Sequence, residues 1–116
     1  MTDPALPVPP TLTAAAFDSA VASGPVIVMF CTADCAPCKL MKPVLADLAD
    51  ALGERAVVGT IDIVDEPELA LRVGVMGVPM ISGYANGEVR WGPFFGALPA
   101  PRLRALADEL IAAASV

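Results

Sequence analysis

Several kinds of side chain are missing or scarce in this chain of 116 residues, and each absence excludes a class of chemistry. There is no histidine at all, which excludes Ser-His and Cys-His catalytic pairs and every metal site built on imidazole. Lysine and arginine number 7 against 13 aspartates and glutamates, a net charge of −6. Because no basic cluster is present either, we expect neither a nucleic-acid partner nor an anionic membrane partner.

Long apolar runs are also missing. The longest strongly apolar stretch runs from Val26 to Cys31, far below the roughly 20 residues that cross a bilayer. The first ten residues carry Asp3 and no apolar helix pattern, because four prolines interrupt them: Pro4, Pro7, Pro9 and Pro10. We therefore expect no signal peptide and a cytoplasmic location.

The chain does contain enough apolar residues to form a hydrophobic core. Its hydrophobic fraction is 56% and its charged fraction 17%, which excludes intrinsic disorder of the whole chain and suits one domain. Residues 1–10 are predicted to be a Pro-rich N-terminal arm, solvated rather than structured, and residues 11–116 the folded domain.

Hydrophobic periodicity predicts alternating helices and strands. The predicted helices are residues 14–23, a long helix that follows Cys38 and runs until Gly53, a short one from Pro67 to Gly74, and a closing helix carrying Leu103, Leu106 and Leu110. Pro43 is expected to kink the long helix near Lys39. The predicted strands are residues 26–30 and 57–63, then a hairpin of residues 79–84 and 88–95 around Asn86-Gly87. Strands separated by helices favour parallel pairing, so the order predicts an α/β domain: a mixed sheet with a C-terminal antiparallel hairpin and helices on both faces.

Cys35 and Cys38 lie where the first buried strand gives way to the long helix. The free N–H groups and positive end of a helix stabilise a thiolate at Cys35, which makes Cys35 the predicted attacking sulfur. Cys38, one turn into the helix, is placed to resolve a mixed disulfide. Pro37 stiffens the segment between them, Lys39 adds a positive charge, and Asp34 opposes the thiolate by repulsion.

Other roles for these cysteines are open to test. Zinc would need two further ligands, and no second cysteine pair or histidine exists. The spacing of Cys31, Cys35 and Cys38 matches a three-cysteine iron–sulfur run, although Cys31 ends an apolar strand and reads more simply as a small buried hydrophobe. A purely structural disulfide is the remaining alternative, although so short a ring constrains the unfolded chain little.

Beyond the cysteine pair, residues 11–114 resemble the thioredoxin family. The matching features occur in the family's order: Cys-Ala-Pro-Cys at 35–38, Lys39 and Pro43, Asp65-Glu66-Pro67, Gly74-Val75-Met76-Gly77-Val78-Pro79, Asn86-Gly87-Glu88-Val89, and Gly96. The resemblance implies a cis peptide bond before Pro79, a proline that faces the cysteines, and a Val78 backbone that hydrogen-bonds substrate.

The chain also departs from the family pattern. The family's buried aspartate and lysine fall on Met29 and Thr60, so the usual proton relay at the resolving cysteine is absent. Asp34 stands where a tryptophan is typical, which favours a basic or polar target surface. Further departures are Ala36 for glycine, Cys31 for an aromatic residue, Met80 for threonine, and one extra residue, as an edge bulge, within residues 91–95.

The resemblance thus implies a protein-disulfide reductase, with Cys35 and Cys38 as catalytic residues. The predicted substrate-binding residues around them are Asp34, Ala36, Pro37, Met76, Val78 and Pro79, with Met80 as a further candidate for an apolar contact patch and Trp91 for either a partner contact or strand packing. No cofactor or metal is required; disulfide-containing proteins are the expected targets, thioredoxin reductase the expected recycling partner, and the protein a monomer. The alternatives are an oxidant or isomerase in an oxidising compartment, and a non-catalytic binding module.

Overall fold

The computed structural model describes residues 8–114, and nearly every predicted element is present. The helices are α1 (Ala14–Ser23), α2 (Ala36–Leu52), α3 (Pro67–Val73) and α4 (Ala100–Ala114), with a 3₁₀ turn at Gly53–Arg55, and the strands are β1 (Val26–Cys31), β2 (Val57–Asp62), β3 (Met80–Ala85) and β4 (Glu88–Phe95). No helix among residues 8–114 is long and apolar enough to span a bilayer.

The strands form one mixed sheet in the order β2-β1-β3-β4. β1 pairs with β2 in parallel, while β3 is antiparallel to β1 and β4 is antiparallel to β3. This confirms the predicted α/β class with a C-terminal hairpin. The expectation that helix-separated strands run parallel holds for β1 and β2 but is wrong for β3.

The short helix α3 leads into a strand of reversed direction. β2 spans about 20 Å with its six residues, whereas the seven residues of α3 cover only about 10 Å. Helix α3 therefore does not carry the chain back along the full length of β2, and β3 begins without such a return. β3 starts at the end of the sheet where β1 and β2 finish, which brings Pro79 to the same end as the cysteines.

Alternation along β1 divides the apolar residues between two cores. Ile27, Met29 and Cys31 face a cluster completed by α2 and α4, whose members include Cys38, Leu45, Leu103 and Leu110. Val26, Val28 and Phe30 face the opposite cluster, which contains Phe17 of α1 and Leu69 of α3. Helices thus cover both faces of the sheet, as predicted, and β1 is buried along its whole length.

The predicted N-terminal arm falls largely outside the described residues, since only 8–10 of it are described. Within that part, Pro9 is buried and the Pro10 carbonyl accepts a hydrogen bond from the Thr60 amide at 2.9 Å. The Leu12 amide donates to the Thr60 carbonyl at 2.7 Å. This end of the arm therefore packs on the outer edge of β2 instead of being solvated.

The β3–β4 hairpin turns at Asn86-Gly87 as predicted, but β4 carries two register shifts where the sequence indicated one extra residue. Ala85 pairs with Glu88, whereas Met80 pairs with Phe95. A regular two-residue hairpin would place residue 93 opposite Met80, so the two shifts move β4 by two residues. Phe95, rather than Pro93, is consequently brought beside the start of β3.

Trp91 is a packing residue. Its side chain is only 8% exposed, its ring lies against Gly83 on β3, and its Nε1 donates a hydrogen bond to the Leu106 carbonyl of α4 at 3.1 Å. Trp91 therefore joins the hairpin to α4, and of the two roles considered for it, strand packing is the one the structure supports.

Candidate active site

Cys35 and Cys38 form a disulfide at the start of α2, with their Cα atoms 5.2 Å apart. β1 ends at Cys31, and a turn in which the Cys35 amide donates to the Thr32 carbonyl at 3.4 Å leads the chain into the helix. Cys35 is the N-cap of α2, with extended backbone angles. The strand and the helix thus fix the pair from both sides.

The N-terminus of α2 provides the donor that a charged sulfur at Cys35 would need. The Cys38 amide donates to Cys35 Sγ at 3.2 Å, so an N–H group of the first helical turn already points at this atom. Pro37 lies in the first turn, where a missing N–H costs nothing. An amide donor and the positive helix end together favour a thiolate at Cys35 once the disulfide is reduced.

The two sulfurs differ in access. Cys35 is half-buried, whereas Cys38 is fully buried in the cluster between α2, α4 and the sheet. An external group can therefore reach only Cys35. This arrangement supports an outward-facing reactive sulfur and an inward-facing partner one helical turn away.

The surroundings of Cys38 are apolar. Met29 is completely buried in the same cluster and pairs across β1 and β2 with Thr60, which is 3% exposed. The buried polar side chains among residues 8–114 are Thr60 and Ser82, and neither is charged. The family's buried charged pair is therefore absent at positions 29 and 60, as the sequence predicted, while the half-buried Lys42 acts on the neighbouring Cys31.

The loop before β3 carries the predicted Val78-Pro79 pair. The peptide bond between them is cis, as the resemblance implied, and Pro79 is buried while Val78 is half-buried. Cys35 and Val78 both pack against the edge of the cluster that contains Cys38. Within residues 8–114, neither the N–H nor the carbonyl of Val78 has a hydrogen-bond partner, so both remain available to another chain.

The remaining predicted site residues are distributed around this pair of loops. Asp34, Ala36 and Pro37 are exposed beside Cys35, and Met76 is 91% exposed two residues before Val78. Met80, by contrast, is 3% exposed in the core that contains Phe17 and Phe30. Its proposed place in an apolar contact patch is wrong, because the first residue of β3 turns its side chain into that core.

Sequence reasoning missed Phe95, which is 57% exposed at the end of β4. A Cβ built on Gly77 would lie 3.9 Å from the Phe95 ring, so the ring stands against the loop that leads to Pro79. The Gly96 amide also donates to the Pro79 carbonyl at 3.1 Å. The sequence would place Phe95 beside the start of β3 only if both register shifts of β4 were known, because a regular hairpin pairs residue 93 with Met80.

Cys31 is a free, buried thiol, in agreement with its interpretation as a small hydrophobe. Its Sγ donates to the Ile61 carbonyl at 3.6 Å, which directs it toward β2. Burial raises the pKa of this thiol, Lys42 acts in the opposite direction, and Asp62 adds to the rise. Cys31 therefore stays protonated at neutral pH. Among residues 8–114, no group of three or more Cys, Asp and Glu side chains is arranged to hold a metal ion.

Comparison with known proteins gives one consistent result. The family model described as Thioredoxin matches residues 8–109. The chain is 37% identical over 82 residues to a thioredoxin of Rhodospirillum rubrum, covering 71% of this chain and 78% of that protein, and 35% identical over 79 residues to one from Alicyclobacillus acidocaldarius, covering 67% and 75%. A mutant thioredoxin from Halobacterium salinarum superimposes with a TM-score of 0.79 at 27% identity, over 93% of this chain and 96% of that one.

Proposed function

This chain belongs to the thioredoxin family and is a thiol–disulfide oxidoreductase; on that premise we propose that it reduces protein disulfides through Cys35 and Cys38. The observation that carries the proposal is the unequal access of the two sulfurs. Cys35 caps α2 at the surface with the Cys38 amide on its Sγ, and Cys38 is buried behind it.

The reaction begins when the Cys35 thiolate attacks one sulfur of a target disulfide. The target S–S bond breaks, a Cys35–target mixed disulfide forms, and the second target sulfur leaves as a thiolate that takes up a proton. Cys38 then loses its proton and attacks Cys35 Sγ. This step closes the Cys35–Cys38 disulfide and releases the first target sulfur as a thiolate, which is also protonated. Two electrons have passed from the protein to the target.

The rim around Cys35 holds the target segment during exchange. The unpaired N–H and carbonyl of Val78 supply backbone hydrogen bonds to an extended segment, and Pro79 fixes the loop that presents them. Ala36, Pro37 and the exposed Met76 provide apolar contact, while Asp34 adds a charge. These assignments explain why a substrate would bind at this end of the sheet and not along its edges.

We place this activity in a reducing cytoplasm, in a monomer that thioredoxin reductase returns to the dithiol form. The stoichiometry supports the need for a recycling partner, since each turnover leaves the protein oxidised and a donor must restore it. A redox titration separates this role from that of an oxidant or isomerase. A midpoint potential well above the glutathione poise of the cytosol, about −220 to −320 mV depending on method, contradicts a reducing role.

Reduction of insulin disulfides, driven by dithiothreitol or by thioredoxin reductase, tests the assignment of the two cysteines. Cys35→Ser should abolish turnover because the attacking sulfur is gone, and Cys38→Ser should accumulate a mixed disulfide with the target. The matched control is Cys31→Ala, which removes the buried third thiol and should leave turnover close to that of the parent. Equal turnover by Cys35→Ser and the parent contradicts the assignment of Cys35 as the attacking sulfur, whereas a parent without turnover favours a binding module.

A further inference from the structure

Asp34 places a negative charge directly before the reactive cysteine, and no side chain of the described residues forms an ion pair with it. Its side chain is exposed, and within residues 8–114 no hydrogen bond or ion pair engages it. The neighbouring rim residues Ala36 and Pro37 carry no charge. A target segment that docks beside Cys35 therefore meets this carboxylate before any other ionic group of the loop.

Four of the basic residues have partners: Arg72 with Asp18, Arg104 with Asp108, Arg55 with the carbonyls of Ala51 and Leu52, and Arg102 over the ring of Phe94. Arg102 is thus held over the residue next to Phe95. Arg90 lies toward the hairpin end of β4, away from the end where Phe95 meets the site. The two other basic residues of the chain are both on α2.

Those two charges are Lys39 and Lys42. Lys42 is half-buried and acts on the Cys31 thiol, so it faces the interior side of the helix. Lys39 is exposed one turn into α2 and partly offsets Asp34. Residues 34–39 thus carry one charge of each sign, with the negative one immediately next to the reactive cysteine, on a chain whose net charge is −6.

We propose that Asp34 makes this protein select disulfides flanked by lysine or arginine, a proposal that rests on the reductase function proposed above. The overall negative charge attracts cationic targets from a distance, and Asp34 distinguishes them at contact. An exposed ion pair changes an equilibrium constant by about 1.4- to 5-fold. Attraction of a cationic flank and repulsion of an anionic one multiply, so two effects from the middle of this range, about 1.7- to 3-fold each, give an expected selectivity of about 3- to 10-fold at low salt.

The test uses three short disulfide-cyclised peptides that are identical except for Lys, Ala or Glu on both sides of one cysteine. The prereduced full-length protein reduces each peptide in single-turnover reactions, at low and at high salt. The parent should reduce the Lys peptide faster than the Glu peptide by about 3- to 10-fold, and high salt should shrink this ratio. The ratio is the readout because any effect of Asp34 on Cys35 thiolate formation changes all three rates alike.

Three variants separate the local charge from the total charge. Asp34→Asn should bring the ratio toward one, and Lys39→Gln should increase it. Asp50→Asn is the matched control, because it removes the same charge from the exposed far end of α2, about 21 Å along the helix from Ala36, and should preserve the ratio.

Each result decides a different point. A parent ratio of one, an unchanged ratio in Asp34→Asn, or an equal drop in Asp50→Asn overturns the assignment to Asp34 while leaving the reductase function standing. Failure of the parent to reduce any of the three peptides counts against the reductase function itself.

Discussion

Replacing Gly83 by alanine should disturb the packing of Trp91 between the sheet and α4 and so lower the stability of the fold. Gly83 lies in the middle of β3, paired with Ile27 on one side and Trp91 on the other. A Cβ added at Gly83 would press on Trp91 Cε2 and lie 2.7 Å from its Cζ2 and 2.8 Å from its Nε1. These atoms belong to a rigid ring, so one of the two strands or the ring itself must move.

The size of the effect follows from how firmly both partners are held. The backbone of Gly83 is fixed by two neighbouring strands, and the ring by its hydrogen bond to the Leu106 carbonyl at 3.1 Å. Overpacking in such a site costs about 1–3 kcal/mol, and a broken hydrogen bond adds about 1 kcal/mol. We expect a loss of about 3 kcal/mol in the free energy of unfolding, which lowers Tm by roughly 10 °C or more.

Thermal unfolding followed by tryptophan fluorescence measures this loss of stability and reports directly on the surroundings of Trp91, because Trp91 is the one tryptophan in the chain. Gly24→Ala is the matched control: a Cβ at Gly24 would meet nothing within 4 Å, and its φ of 175° is ordinary extended backbone. That variant should unfold within a few degrees of the parent. A Gly83→Ala protein with parental Tm and parental fluorescence would refute the claim that this contact is tight.

Two further variants test buried residues close to the cysteine pair. Met29→Asp supplies the missing proton acceptor near Cys38 and should speed the release of product at neutral pH, toward the roughly hundredfold gain of a positioned general base. A pH–rate profile of product release measures the effect, with Met29→Leu as the control, and a parental rate at every pH contradicts the role of the missing acceptor. Burial raises the pKa values of Cys31 and Tyr84 above 9.0 and 10.0, so the stability they contribute is fully present below about pH 9 and is lost as the pH rises through their folded-state values. Cys31→Ala should therefore flatten the fall of Tm above pH 9, and an unchanged alkaline slope would show that this thiol is not involved.

Local patterns were sufficient to predict most of the elements. The apolar run that begins at Val26 predicted β1, and the helical spacing that ends before Gly53 predicted the end of α2. Both predictions were possible because such a pattern shows which faces of a single strand or helix are buried. Such patterns do not record which strand lies beside which. The antiparallel direction of β3 appears in its pairing with β1, and the position of Phe95 depends on the two register shifts within β4.

The candidate site also contains some features that could be predicted from the sequence and others that could not. Cys35 and Cys38 could be identified because their chemistry depends on the local helix start, and Val78-Pro79 because the family resemblance supplied the partner loop. The contact of residues 10–12 with Thr60 could not be foreseen, since prolines argue against a strand. Pro10 contributes only its carbonyl, however, and Leu12 supplies the N–H, so neither bond requires the donor that proline lacks.

Both edges of the sheet are partly obstructed to another chain. At the outer edge of β2, the Thr60 N–H donates to the Pro10 carbonyl and the Thr60 carbonyl accepts from the Leu12 amide. At the other edge, β4 combines two register shifts with Gly92 at positive φ and with Pro93, which has no N–H to donate. Irregular or occupied edges of this kind resist edge-to-edge association. A target segment that binds at the tip of the sheet, as proposed for the disulfide substrates, can therefore leave by breaking a few contacts, without separating a paired strand and without seeding growth of a larger sheet.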